Sequence, residues 1–461
     1  MSYANTLPRK AAVATLEQIE SRDPALHKAK FAFFFLLVFT AVLFGRPTDM
    51  IPGLHDVHLA EVVAICACVS YLAAHLQGGL PFTWTTELKI VFALTFFYAA
   101  GVPFAFWRTN SLDTLTRDWL KTVIIFFLLT QTVFALDRVR KLLWVIILCE
   151  FVATSYSILT QGDVVIQAGV RMTGSTFGFF SGNFTGIAAA VTLPYIAGFL
   201  VRSRSTLRSL LLMATFGAVT WMVVLTASRG GMMSVLFSLG LVWFLVLRDS
   251  FRARLMGLFF VIAIIAAVAA APKTFWERIQ TLWGTSSYAT SDTVASAGYS
   301  EYQRKALLRR SIQYTLQHPL FGVGLGNFGI VSGTLTRQAG EWKGTHNTFT
   351  QISSEAGIPA FLLYVALLYV ATRNLLRISR ACGNQPAYAE LRVLSRATLV
   401  SIYSFMFGAF FAHLAYDYYF FYLAGIGVAL HAVMLRSRNG LTPPVENGRP
   451  RLRNGSGGRA W

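Results

Sequence analysis

Three arginines and one histidine are the residues of this 461-residue sequence whose type and setting suggest chemistry. Arg229 stands in Leu225-Thr-Ala-Ser-Arg-Gly-Gly231, at the opening of an apolar run. A helix that begins there presents unpaired backbone N–H groups and the positive end of its dipole, and both favour an anion. Ser228 and Gly230 flank the arginine, Gly230 and Gly231 allow close approach, and the guanidinium adds a planar fork of donors. That is the chemistry of a phosphate clamp. The same residue serves equally well as a snorkelling arginine that pins a helix end at lipid headgroups. Arg304 lies three residues before Leu307 and four before Leu308, so it projects from an apolar helical stripe and needs an anionic partner, either a ligand or an acid such as Glu301. Arg171, in Val170-Arg-Met-Thr-Gly-Ser-Thr-Phe-Gly, is the third arginine. His346, in Gly344-Thr-His-Asn-Thr-Phe349, can take a proton from a hydroxyl near neutral pH, although a histidine at a helix start also serves as a cap. Asn347 adjoins it, and Gln351 and Glu355 follow at helical spacing; Glu355 reaches the imidazole only across half a turn.

What must position these residues is a bundle in a membrane. Apolar residues make up 55% of the chain and charged ones only 13%, about half the share of a soluble domain, and the mean hydropathy is +0.53. Runs long enough to cross about 30 Å of hydrocarbon number about twelve. They fall near 29–46, 57–76, 88–107, 118–136, 141–160, 182–201, 208–227, 230–248, 253–271, 357–376, 395–415 and 418–435. Unpaired backbone is not tolerated in lipid, so the fold class is an all-α integral membrane protein. The first run is too long and too far along the chain for a cleaved signal.

The net charge of +19 would suit nucleic acid only with a hydrophilic basic face, which this chain lacks. Positive charge instead alternates with the spans. Arg138, Arg140, Arg202, Arg204, Arg254, Arg377 and Arg396 fall on one side, with both termini, which the positive-inside rule makes cytoplasmic. The expected division is a tail at 1–28, nine spans over 29–271, an outer loop at 272–356 bearing the catalytic elements, three spans over 357–436, and a disordered basic tail at 437–461. Within the outer loop, Gly284 to Ser300 reads as a mobile loop. Glu301 to His318 reads as an amphipathic helix with Leu308, Ile312 and Leu316 at four-residue spacing, ended by Pro319. Arg171, Arg229 and Arg304 are exceptions to the charge rule, because they lie on the outer side.

Other signals are weaker. Cys66, Cys68, Cys149 and Cys382 lie in or at the ends of apolar runs and suggest neither a disulfide framework nor a metal site. Gly322-Val-Gly-Leu-Gly326 lacks the lysine and serine of a P-loop and reads as a tight turn. Glu61, Glu150, His413 and His431 fall within apolar runs, where ionisable groups can mark an ion path, and Asp417 lies near His413 at the outer end of the eleventh run.

Together the motifs resemble those of the bacterial O-antigen ligase and polymerase superfamily of multi-span membrane glycosyltransferases. Thr226-Ala-Ser-Arg-Gly-Gly231 resembles its serine-arginine-glycine signature. Arg304 with Leu307, followed by His318-Pro-Leu-Phe-Gly-Val-Gly-Leu-Gly-Asn-Phe328, is similar to its arginine helix and turn. His346-Asn-Thr-Phe-Thr-Gln-Ile-Ser-Ser-Glu-Ala-Gly-Ile-Pro359 is similar to its histidine-asparagine motif, and Arg171-Met-Thr-Gly-Ser with Asn183 matches a weaker one.

The resemblance implies transfer of a glycan from undecaprenyl pyrophosphate to an acceptor sugar at the periplasmic face of the inner membrane, without cofactor or metal. It implies that Arg229 and Arg304 bind the pyrophosphate and that His346 is the base, with Arg171, Ser228, Gly230, Asn347, Gln351 and Glu355 as further contacts. The partners implied are the undecaprenyl pyrophosphate-linked glycan, a lipid A–core acceptor and membrane lipids, with no nucleic acid. One dominant outer loop between the ninth and tenth spans favours a ligase over a polymerase. The alternatives are a polymerase, a protein glycosylating relative, and a transporter or flippase coupled through Glu150 and Glu61.

Overall fold

The computed structural model describes residues 24–441 apart from 52, 55–56, 79, 81, 169–181, 248–250, 281–290 and 337–341. Among the described residues the structure is helical and has no strand. Each of the twelve expected runs falls on a helix: α1 (Lys30–Gly45), α2 (Leu59–Leu76), α3 (Thr86–Gly101), α4 (Leu120–Thr132), α5 (Leu136–Ala168), α6 (Gly182–Arg202), α7 (Thr206–Thr226), α8 (Arg229–Val242), α9 (Phe251–Ala269), α12 (Thr348–Cys382), α13 (Ala389–Ala409) and α14 (Tyr418–Leu441). Between α9 and α12 lie α10 (Ser291–Gln317) and α11 (Phe328–Thr336). Among the described residues, eight helices are long and apolar enough to cross a membrane, rather than twelve. The other four have physical reasons to fall short: α1 and the described apolar part of α9, Arg254–Ala269, are 16 residues each, α4 is 13 and preceded by a π-turn at Thr114–Trp119, and α13 opens with Glu390, Arg392 and Arg396.

The two ends of the bundle differ in chemistry. At one end Arg140 donates to both oxygens of Glu390, at 2.5 and 2.9 Å, and Arg202 approaches the same carboxylate at 3.8 Å. Arg396 donates to Ser379 Oγ and Leu245 O, and buried Arg138 donates to Thr132 O and Leu26 O. These are arginines that the charge alternation groups on one side. The far end of α6, about 30 Å away at 1.5 Å per residue, carries Asn183 and the start of the candidate site. There α6 crosses α8 with backbones touching: a Cβ on Gly186 would lie 2.1 Å from Gly231 Cα, so only glycine permits this approach.

The tenth span begins earlier than its hydropathy suggests. Helix α12 starts at Thr348 and breaks at Gly357, where φ is +86°. Pro359 has no N–H to give Glu355 O, which accepts from Gly324 N at 3.0 Å instead. Ser354 O accepts from Val323 N at 2.8 Å, and Ile358 N turns to Pro319 O at 2.8 Å. The carbonyls released by the break are therefore taken up by the Gly322–Gly326 turn, whose three glycines all have positive φ. Here the tight turn expected from sequence has its partner.

Two expectations for the outer segment change. The helix begins at Ser291, so 291–300 is helical rather than a mobile loop, and 281–290 lie outside the described residues. The Leu308, Ile312 and Leu316 stripe is the outer face of α10, 40, 49 and 71% exposed, while Leu307, Ser311 and Tyr314 pack inward. Periodicity finds an apolar face; it does not say whether protein or lipid covers it.

Candidate active site

The start of α8 is built to hold Arg229 in place. Ala227 turns the chain through a left-handed conformation, with φ at 44°, and Ser228 caps the new helix by accepting from Gly231 N at 3.1 Å. The Ser228 hydroxyl donates to Asn183 Oδ1, and Asn183 Nδ2 donates to Phe411 O at 3.1 Å. Gly230 sits against both: a Cβ there would stand 3.0 Å from Asn183 Oδ1 and 3.3 Å from Phe411 Cβ. Ser228 and Gly230, expected as substrate contacts, are in this structure the fixtures of the helix end.

Arg304 reaches the same place from α10. It shares the inward face with Leu307 and Ser311, three and seven residues on. Burial first, and then the charge of Arg229, lower the pKa of its guanidinium from the ordinary value. Two facing guanidinium groups repel, and an anion seated between them removes the repulsion. Glu301, the acid expected as an alternative partner, is outside the residues whose side chains are described.

His346 precedes α12 with φ at 51°, an uncommon conformation for a residue with a side chain. The neighbours account for it. Asn347 caps α12 by accepting from Phe349 N and Thr350 N at 3.0 and 3.1 Å, and Thr345 Oγ1 donates to Asn347 O. Thr348 Oγ1 donates to Ala412 O and accepts from Leu414 N, pinning the helix start to the turn between α13 and α14. The imidazole meets the ring of His413 edge to face, with centroids 5.3 Å apart and planes at 80°. Burial, then the charges of His413, Arg304 and Lys343, push the His346 pKa down to about 4. Its neutral, proton-accepting form prevails at neutral pH.

The structure thus brings His346, Arg304 and Arg229 to one place. Arg171 lies outside the described residues. Glu355 does not orient His346: its carboxylate accepts from Gly326 N, Phe328 N, Tyr416 OH and Gln351 Nε2, at 3.1, 3.0, 2.7 and 3.3 Å. Gln351 Oε1 accepts from Ala415 N. Gln351, Glu355 and Asn347 therefore hold the two turns around the site. Among the described residues no group of three or more His, Cys, Asp or Glu could hold a metal ion.

His413 is what the sequence reading placed wrongly. Helix α13 ends at Ala409, so His413 stands in a turn and not within a span, and its ring also meets Phe184 at 5.6 Å. His413 also lines a cavity of about 810 Å³ with Arg46, Asp118, Lys121, Tyr416 and Asp417. Glu61, another of the ionisable residues expected in a span, lies in the first turn of α2, 3.3 Å from His58.

The stretch that carries both arginines and the histidine is the one that resembles a known family. Residues 214–365 match the O-antigen ligase family. Arg229, Arg304, His346 and Glu355 all lie inside the O-antigen ligase match, which covers about a third of the chain. Over these residues the chain is similar to the O-antigen ligase and polymerase superfamily, whose members are membrane glycosyltransferase-type enzymes. A search of curated proteins found no match.

Proposed function

We propose that the protein is an O-antigen ligase, moving O-antigen polysaccharide from undecaprenyl pyrophosphate to a sugar hydroxyl of the lipid A core at the periplasmic face of the inner membrane. The observation that carries this reading is the meeting of a neutral histidine with two facing arginines inside the matched stretch. Breaking the glycosyl bond leaves negative charge on the departing pyrophosphate, and guanidinium groups held by the capped start of α8 and the inward face of α10 stabilise it without rearrangement. His346 accepts the proton of the acceptor hydroxyl as that oxygen attacks the anomeric carbon. Direct displacement inverts that centre, so the product linkage has the opposite anomeric configuration to the donor. Arg171 belongs to the same reading as a further phosphate or glycan contact.

The test is lipopolysaccharide banding in a strain lacking the gene, complemented with wild type or His346→Ala. Core-only lipopolysaccharide, with long undecaprenyl-linked glycan accumulating and no recovery by His346→Ala, is the expected result. A core carrying one repeat unit identifies a polymerase instead. Unchanged banding removes both readings; loss of function in Glu150 variants with His346 variants intact then points to transport.

A further inference from the structure

The proposed reaction leaves a proton to be disposed of. His346 stands among Arg304, Lys343 and His413, so an imidazolium formed there meets positive charge on its neighbours. His413 offers the way out. Its Nδ1 is buried and has no hydrogen-bond partner among the described residues, a state that is costly unless something else uses that nitrogen. The ring is held on two sides, by Phe184 and by Gly344, where a Cβ would lie 2.9 Å from its ring atoms. His346 is in ring contact with it, and His413 also lines the 810 Å³ cavity. It therefore has a base beside it and a large chamber open to it.

We infer that His413 is a proton relay, receiving on Nδ1 the proton that His346 takes from the acceptor hydroxyl and releasing another from Nε2 into the cavity. This rests on the reading of His346 as the base. The balance is simple: the hydroxyl oxygen keeps its electrons and forms the new glycosidic bond, the pyrophosphate leaves with the pair of the old one, and one proton passes through two imidazoles to water or a carboxylate. Asp417, on the cavity wall, has its carboxyl pushed up to about 7 by burial and can hold a proton in transit. Burial lowers the pKa of both histidines, so each favours the neutral form that passes a proton on.

The experiment uses the full-length protein in detergent or vesicles, with undecaprenyl pyrophosphate-linked glycan as donor and rough-type lipopolysaccharide as acceptor. His413→Ala should lower kcat about tenfold or more with both KM values little changed, and added imidazole, filling the vacated space, should restore it in proportion to concentration. A wild-type kcat, or a loss that imidazole does not restore, overturns the relay. Should the alanine variant fail to fold, His413→Phe keeps the ring and removes both nitrogens. It should show lower kcat and a larger solvent isotope effect than wild type, because proton removal becomes limiting; wild-type values for both overturn the relay. His346→Ala separates the two ideas: an active His346→Ala removes the base reading with the relay, while an inactive one beside a normal His413→Phe removes the relay alone.

Discussion

Arg229 and Arg304 differ from the bundle's other arginines in what surrounds them. Arg138, Arg140 and Arg396 donate to carbonyls, a hydroxyl and a carboxylate at the basic end, and Arg304 has the positive charge of Arg229 close to it. Replacing Arg229 by Ala should lower transfer by about 10²–10³-fold, the cost of losing one donor aimed at developing charge. Lysine should recover only part of it, because a point charge does not reproduce the fork; full recovery in a transfer assay rejects the clamp. The histidine makes a pH prediction. An unfolded chain binds a proton on His346 below about 6.5 that the folded protein refuses until about 4. Stability from this group is thus complete above the higher value and lost as pH falls through the lower one. The melting temperature should drop across that window, and His346→Gln should flatten the drop. Bound pyrophosphate raises the same pKa, so the acid limb of kcat should lie at higher pH than that of kcat/KM for the donor.

Arg229 and Arg304 stood out in the sequence because they break the alternation of positive charge along the spans, and His346 because it opens a motif. The hydrogen bonds of Glu355 could not be read there, since its four donors come from residues far away in sequence or one helical turn off. A lone histidine such as His413 leaves no pattern at all. Among helices, hydropathy summed over some twenty residues located every run, yet the break in α12 and the facing of α10 depend on neighbours that no local sum contains. Gly357→Ala should abolish folded protein in detergent size-exclusion profiles, because its Cβ would lie 2.2 Å from Leu320 O at a φ of +86°. On α10, Leu307→Ala should cost about 2–5 kcal/mol and lower the melting temperature clearly. Leu316→Ala, at a position 71% exposed, should change stability by less than about 0.5 kcal/mol. Equal effects at the two positions contradict the inward facing of Leu307.

The bundle as a whole separates a basic end around Glu390 from an end that gathers Arg229, Arg304, His346 and His413. If these ends face opposite compartments, a membrane-impermeant maleimide applied to intact spheroplasts should label Trp342→Cys and leave Asn384→Cys unlabelled. Labelling of both or of the second alone contradicts the proposed sidedness. The cavity beside His413 draws most of its wall from elsewhere than the arginines. α1 and the turn after it, the start of α2, 114–122, Phe184 and 413–418 supply most of it, and Gly326 and Gln351 add to it from the 214–365 stretch that carries Arg229, Arg304 and His346. Most of the chamber is thus built by stretches of chain other than the one that carries the reacting residues. Its shape can change by substitution along those stretches while the arginines and His346 stay as they are.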